Sequence, residues 1–166
     1  FLFFYDLWSW EIYTVQTQAS LEKKGTIIVP GIIGGASWAG AAVHPGKGVI
    51  YIPSYTFPTF MPITKPKDPD AHFRYTGGVS FGPNGPRGLP LLKPPYGRIT
   101  AINLNTGDHL WMVPNGDTPD CVKNHPALEG LELAPTGKAE RGGLLVTKTL
   151  VFAGEGSGLF AAPRDT

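Results

Sequence analysis

The sequence predicts an all-β protein, and three features of its 166 residues support that prediction. Glycine and proline are abundant, with Gly 22 and Pro 17, and they separate short apolar runs rich in β-branched residues. Such runs are typical of strands, and the glycines and prolines between them are typical of turns. The segment "YGRITAINLNTGDHLWMVP" (96–114) has the pattern of a two-stranded hairpin. The hydrophobic fraction of 42% is enough to build a core.

The strand pattern becomes clear from Gly25 onward, because the aromatic-rich residues 1–24 fit either a strand or a short helix. The run "GTIIVPG" (25–31) predicts a strand followed by a turn. The small residues of "GGASWAGAAVHP" (34–45) allow two strands, or the backbone and a ligand, to approach closely. A turn in "PGKGVIYIPS" (45–54) then leads into a strand over residues 49–53.

Two long stretches have no clear strand pattern. Residues 55–95 are rich in Pro, Gly and charge, and they predict an irregular connection. A loop of this length is either functional or a surface insertion, and the sequence leaves both readings open. Residues 115–140 predict a second loop-like connection with one turn of helix.

The hairpin of residues 96–114 turns at Asn105-Thr106-Gly107, where Gly107 is best suited to a positive φ. Its pattern starts again near the end of the chain, after predicted strands at residues 144–146 and 150–153. The segment "GLFAAPRDT" (158–166), which contains a last predicted strand at 159–162, aligns with "RITAINLNT" (98–106). Three positions correspond: Ala101 with Ala161, Asn105 with Asp165, and Thr106 with Thr166.

Repeated short strands and turns suggest a β-propeller or another radial repeat. In such an architecture Trp111, just beyond the turn, would fill the space between adjacent sheets.

Composition excludes few functions. Lys+Arg 14 nearly balances Asp+Glu 13, which gives no argument for nucleic acid or an anionic membrane as a partner. The single cysteine, Cys121, excludes an internal disulfide and is most simply a free thiol. The apolar start "FLFFYDLWSWEIY" lacks the basic region and cleavage site of a secretion signal, and it is too short and too charged to span a bilayer. A first residue Phe1 fits an excerpt or a processed product.

Several motifs resemble the pyrroloquinoline quinone (PQQ) dehydrogenases. The segment "AINLNTGDHLW" is similar to their repeat A-x-D-x-x-T-G-x-x-x-W, with Asn103 where aspartate is common. The segment "PGIIGGASWAGAAVHPGKGVIYIPS" (30–54) resembles their Gly-Gly-x-Asn-Trp-x-Gly stretch and the following strand, and "PPYGRITAINL" and "RGGLLVTKTLVFAGEG" continue the likeness. The order of the motifs resembles the C-terminal part of the membrane-type glucose and polyol branch.

The resemblance implies a partial β-propeller, with about three four-stranded antiparallel blades of a larger ring and long Pro/Gly-rich loops. Residues 25–166 would be the propeller fragment and residues 1–24 a divergent N-terminal segment. It also implies PQQ as cofactor, a divalent cation (commonly calcium) and an aspartate base. A sugar or alcohol would be oxidised outside the cytoplasm, in the periplasm or at the membrane. A quinone or cytochrome would accept the electrons.

The family's catalytic aspartate, most metal ligands and the tryptophan under the cofactor lie in upstream segments that this chain lacks. We therefore expect the isolated chain, without the missing blades, to be inactive.

Four residues are candidate cofactor contacts by this resemblance. Ser37 occupies a position that is usually asparagine, and its hydroxyl offers a single donor. Trp38 either contacts the cofactor or packs between blades. Arg141 either pairs with a PQQ carboxylate or is a solvated loop charge, and Gly142 follows it where related enzymes bring backbone near the cofactor.

Other polar residues point away from a metal site. His44, His72, His109 and His125 lack metal-ligand spacing. "DPDAHF" does not have the alternating ligands of a calcium loop. Glu155 is either a ligand or a turn carboxylate.

Two other hypotheses remain open from the sequence. A non-catalytic propeller could use the repeat as a scaffold for protein partners, although "GGASW" favours the enzyme because a scaffold needs only the blade repeat. Alternatively, the chain could be a truncated product that does not fold well by itself, which a cooperative thermal transition would contradict.

Overall fold

The computed structural model describes residues 25–36, 40–81 and 84–154. Within them, twelve short strands and almost no helix are present. The strands are β1 Thr26–Ile28, β2 Gly35–Ala36, β3 Ala42–His44, β4 Val49–Tyr55, β5 Thr59–Met61, β6 Ile63–Thr64, β7 Thr76–Gly77, β8 Ser80–Phe81, β9 Gly97–Asn103, β10 His109–Pro114, β11 Leu144–Val146 and β12 Val151–Ala153. The helical elements are α1, Asp120–Lys123, and 3-10 turns at Pro86–Gly88 and Pro126–Leu128.

The central sheet is antiparallel and four strands wide, in the order β10-β9-β4-β2, with β3 also paired to β4. β2 and β3 share one edge of β4, where β3 faces Val49–Tyr51 and β2 faces Ser54–Tyr55. Pro53 falls between these two paired stretches and opposite Ile99 of β9. A proline, which has no N–H, is tolerated in the middle of this sheet because the edge ladder is interrupted there. The strands cross the sheet in chain order, as in a propeller blade.

The core lies on one face of this sheet. Burial alternates along β4, with Val49, Tyr51, Pro53 and Tyr55 buried, which is the period-2 pattern of a strand that packs on one face. Val49, Tyr51, Ile99 and Ala101 form the buried cluster. The antiparallel hairpin β11–β12 covers it through three side chains: Leu144, Val146 and Val151. The β11–β12 hairpin, which follows the loop after β10, thus forms a second layer on the buried face of the central sheet.

The predicted hairpin of residues 96–114 is confirmed as β9 and β10. At its turn Gly107 has φ 79°, and its N–H donates to the Asn103 carbonyl at 2.8 Å. The Asn103 side chain accepts from the Asn105 N–H at 2.9 Å, so it serves the turn as an aspartate would. Trp111 lies on the buried face, with its ring 5.6 Å from the Tyr51 ring, and it is 42% exposed. The second copy of the repeat, residues 158–166, lies outside the described residues.

The prediction of an irregular connection over residues 55–95 is wrong in part. β5 pairs with β1 and β8 in a three-stranded sheet, and β6 pairs with β7 in a separate hairpin. These strands are two or three residues long and lie between prolines and glycines, so they show no period-2 pattern in the sequence. The helical turn expected within 115–140 is confirmed as α1. No helix among the described residues has the length and apolar character needed to cross a membrane.

Candidate functional site

Residues 30–36, here called the glycine-rich segment, end in β2 and are held against the start of the 55–95 connection. The Phe57 N–H donates to the Pro30 carbonyl at 2.7 Å, and the Ile32 N–H donates to Oγ1 of the fully buried Thr59 at 3.3 Å. A Cβ at Gly31 would lie 1.8 Å from the Phe57 carbonyl oxygen. Only glycine fits there, and this contact fixes the path of the chain up to residue 36.

The prediction that glycines in residues 34–45 permit close packing is confirmed at Gly34, where an added Cβ would lie 2.1 Å from the Pro30 carbonyl oxygen. At Gly40 no atom of the described residues lies within 4 Å of an added Cβ, so close packing there stays a prediction, and the residue adopts φ 78°. Glycine is required at Gly40 because of this left-handed backbone conformation. Ser37 and Trp38, between these two glycines, lie outside the described residues, and their assignment as cofactor contacts stays a prediction.

Arg141 lies in the loop just before β11, and it reaches the end of β4. Its Nε–H donates to the hydroxyl of Tyr55 at 3.3 Å, and that hydroxyl in turn donates to the Ile33 carbonyl. Arg141 is half-buried, Tyr55 is 3% exposed and Gly142 is buried. The loop before β11 and the glycine-rich segment therefore meet at one tyrosine hydroxyl, although Arg141 and Tyr55 are 86 positions apart.

The charge of Arg141 has no acidic partner in the described part of the chain. The ion pair found there joins Lys123 Nζ and Asp117 Oδ2, 3.4 Å apart and well exposed. The terminal nitrogens of Arg141 make no hydrogen bond to any described residue, since its one described bond uses Nε. A half-buried guanidinium with free terminal N–H groups suits a carboxylate ligand, which it can bind in a bidentate way.

A second polar network supports the loop that carries Arg141. The Tyr96 N–H donates to the Thr136 carbonyl at 2.8 Å, and the Lys138 N–H donates to the Asn115 carbonyl at 2.8 Å. Oγ1 of Thr118 accepts from the buried Thr136 N–H at 3.2 Å. These bonds fix residues 136–138 beside the start of β9.

Two ionisable groups border this network. Burial raises the pKa of Tyr96, and the nearby Cys121 thiolate charge raises it further. A hydrogen bond from the Thr118 N–H lowers the pKa of Asp117, and the positive charge of Lys123 adds to this effect.

Two of the histidines are held by backbone groups. Nδ1 of His44 accepts from the Lys47 N–H, and its Nε2 lies 3.0 Å from the Lys148 carbonyl oxygen. His125 has the same arrangement, with Nδ1 accepting from Ala127 and Nε2 2.9 Å from the Arg87 carbonyl oxygen. Within residues 25–36, 40–81 and 84–154, no group of three or more His, Cys, Asp or Glu side chains could hold a metal ion. Glu155 lies outside these ranges.

Sequence reasoning missed two residues that shape this region. Tyr55 extends the odd-numbered buried positions of β4, so the period-2 pattern predicts its burial but not its contact with Arg141. Gly97 is buried at the start of β9, and a Cβ there would lie 1.8 Å from the Lys138 carbonyl oxygen. The sequence has no local signal for that approach.

Comparisons with known proteins give the same family as the sequence motifs. The family described as "PQQ: Glucose/ethanol/alcohol dehydrogenase, beta-propeller domain" matches residues 6–162. The chain is 27% identical over 119 residues to quinoprotein glucose dehydrogenase of Escherichia coli, covering 60% of this chain and 15% of that protein. It is 24% identical over 148 residues to quinoprotein glucose dehydrogenase A of Acinetobacter calcoaceticus, covering 80% of this chain and 18% of that protein. A third relative, quinate/shikimate dehydrogenase (quinone) of Acinetobacter baylyi, is 28% identical over 156 residues, covering 82% and 18%.

The chain thus spans less than a fifth of the length of these relatives, since it covers between 15% and 18% of each. The family match confirms the predicted fold class, because antiparallel sheets with almost no helix are what part of a propeller contains. The chain therefore belongs to the β-propeller domain family of the PQQ-dependent glucose, ethanol and alcohol dehydrogenases.

Proposed function

We propose that this chain is part of a longer PQQ-dependent dehydrogenase that oxidises a hydroxyl group of a sugar, polyol or related alcohol to a carbonyl. Its relatives are named as glucose and quinate/shikimate dehydrogenases, whose substrates share that hydroxyl chemistry. When bound, PQQ would supply the two-electron oxidation by accepting the equivalent of a hydride. The electrons would then pass to a quinone or a cytochrome.

The observation that carries the proposal is the position of Arg141. Its guanidinium is half-buried, is fixed through Nε to Tyr55, and lies beside the glycine-rich segment without a described acidic partner. An unpaired, partly buried cation is costly unless an anion binds it. PQQ carries carboxylates, so the residues present fit this cofactor, and the terminal nitrogens of Arg141 would bind one of them.

Other contacts in the proposed site come from neighbouring positions. Ser37 and Trp38 follow β2 directly, and Gly142 follows Arg141, so each would contribute backbone or side-chain contacts to the cofactor. The catalytic aspartate and the ligands of a calcium ion would come from the rest of the protein, and the isolated chain would be inactive. We place the enzyme outside the cytoplasm, in the periplasm or at the membrane.

The test uses the full-length protein. The apoprotein is incubated with PQQ and calcium, and dye reduction is followed with glucose, quinate and a panel of polyols. We expect reduction that depends on both PQQ and substrate, and the substrate with the highest kcat/KM defines the specificity. An absence of PQQ-dependent reduction across the whole panel would overturn the proposal.

A charge-matched pair of variants tests the role of Arg141. Arg141→Gln should weaken PQQ binding by roughly 10-fold or more, because a charge-assisted bidentate pair is lost. Arg74→Gln removes the same charge from an exposed loop where the side chain has no described hydrogen bond, and it should bind PQQ as the wild type does. Equal affinities of the two variants would remove Arg141 from the site.

A further inference from the structure

Tyr55 is the residue at which three segments of the structure meet. It is the last residue of β4, and it pairs with Gly35 of β2 on one side and with Gly97 of β9 on the other. Its side chain is 3% exposed. A tyrosine this deeply buried needs partners for its hydroxyl, because an unpaired buried hydroxyl is costly.

The Tyr55 hydroxyl uses both of its hydrogen-bonding roles. Its O–H donates to the Ile33 carbonyl in the glycine-rich segment, and its oxygen accepts from Nε of Arg141 at 3.3 Å. This is the sole hydrogen bond of Arg141 within the described residues, so it is the described contact that orients the guanidinium plane. Because the guanidinium is rigid and planar, fixing Nε also fixes the direction of the terminal N–H groups.

We propose that Tyr55 is a positioning residue for the cofactor site: it orients Arg141 toward an anionic cofactor and ties that orientation to the glycine-rich segment before Ser37. This inference rests on the proposed function, since it takes Arg141 as a cofactor contact. Tyr55 itself touches neither substrate nor cofactor in this scheme. We take its effect on PQQ binding to pass through Arg141, and an effect that persists without Arg141 would instead pass through the bond to the Ile33 carbonyl.

The experiment is a double-mutant cycle on PQQ affinity in the full-length apoprotein, measured by equilibrium dialysis with calcium present. Tyr55→Phe should raise the Kd for PQQ roughly 10-fold, because the orienting bond to a charged group is lost. In the Arg141→Gln background the same Tyr55→Phe change should leave the Kd unchanged within about 2-fold, since the two residues act as one unit. The thermal midpoint of each apoprotein is recorded alongside as a measure of folding.

The matched control is Tyr51→Phe. Tyr51 is on the same strand and face, is 8% exposed, and its hydroxyl has no described hydrogen bond. It should bind PQQ with wild-type affinity. Arg141→Lys is a second variant that keeps the charge but lacks the planar fork, and it should also lose roughly 10-fold in affinity. This variant tests the orientation argument even when Tyr55→Phe does not fold.

Each result has one meaning. A wild-type protein that does not bind PQQ overturns the proposed function, and the inference with it. If the wild type binds PQQ, the proposed function stands and three outcomes each overturn the inference. These are wild-type affinity in Tyr55→Phe or Arg141→Lys, equal losses in Tyr55→Phe and Tyr51→Phe, and an undiminished Tyr55→Phe effect in the Arg141→Gln background.

Discussion

Gly97 lies where the first residue of β9 passes the loop that leads to Arg141. A Cβ added at Gly97 would be 1.8 Å from the carbonyl oxygen of Lys138 and 2.7 Å from its carbonyl carbon. Both atoms belong to the backbone, so no side-chain rotation can relieve the contact. We predict that Gly97→Ala displaces this loop and destabilises the protein.

The size of the effect follows from the local contacts. The loop must retreat by more than about 1 Å, and overpacking of a dense interior costs about 1–3 kcal/mol. That movement also disturbs the bond from the Tyr96 N–H to the Thr136 carbonyl, 2.8 Å, and the bond from the Asn115 N–H to the Gly97 carbonyl, 2.9 Å. Each such bond contributes about 1 kcal/mol. We therefore expect Gly97→Ala to lower the free energy of unfolding by about 3–5 kcal/mol, a large part of the stability of a typical domain.

The assay is urea denaturation followed by tryptophan fluorescence, with the midpoint compared at constant m value. Gly143→Ala is the first control, because no atom of the described residues lies within 4 Å of its added Cβ and its φ is outside the left-handed region. It should be neutral or slightly stabilising. Gly107→Ala is the second control, with no described atom within 4 Å of its added Cβ but φ 79°, and it should cost about 1 kcal/mol from backbone strain alone. A loss of less than about 1 kcal/mol in Gly97→Ala, or a loss no larger than in Gly107→Ala, would show that the backbone of Lys138 does not restrict the side chain at position 97.

Three further predictions concern the loops around β9. Oγ1 of Thr136 is buried without a described partner, so Thr136→Val should leave the thermal midpoint unchanged or raise it. Thr118→Val removes the acceptor of the Thr136 N–H and should cost about 1 kcal/mol. A larger loss in Thr136→Val than in Thr118→Val would contradict this prediction. The lowered pKa of Asp117 stabilises the fold above the ordinary carboxyl pKa of about 4, and this contribution is lost as the pH falls through the lowered value. Asp117→Asn should therefore lower the Tm at neutral pH, and the difference should close in acid; a constant difference would argue against the linkage. His125→Asn keeps an acceptor for the Ala127 N–H but is too short to reach the Arg87 carbonyl. Amide hydrogen exchange should therefore accelerate at residues 85–89. Unchanged protection of these amides would count against the contact between His125 and Arg87.

The fold could be predicted from the sequence wherever a short apolar run is bounded by a turn with defined chemistry. β4, β9 and β10 each have that pattern, and the turn at Gly107 adopts the positive φ that its residue type suggests. β5 to β8 could not be predicted, because prolines, glycines and charged residues around these strands of two or three residues leave no clear apolar run. Their pairing depends on partners far along the chain, and β1 in particular pairs with β5.

The candidate site was less predictable than the fold. The family resemblance points to Arg141, but no pattern in the sequence connects it with Tyr55, which is 86 positions earlier. The close approach of Gly97 to Lys138 is likewise a contact between backbones that are distant in sequence. Propensity and periodicity report on local structure, whereas both contacts depend on how one sheet packs against the next.

The groups proposed to bind the cofactor belong to two different layers of the structure. The glycine-rich segment enters the edge of the central sheet at β2, and Arg141 precedes β11, whose hairpin packs on the face of that sheet. Neither group is fixed by its own strand alone, since the Ile33 carbonyl and the Arg141 guanidinium are joined through the Tyr55 hydroxyl. Under the proposed function, affinity for PQQ would therefore depend on the packing between the two sheets. It follows that a substitution such as Gly97→Ala, which touches no proposed cofactor contact, should weaken PQQ binding as well as stability, because it moves the loop that carries Arg141.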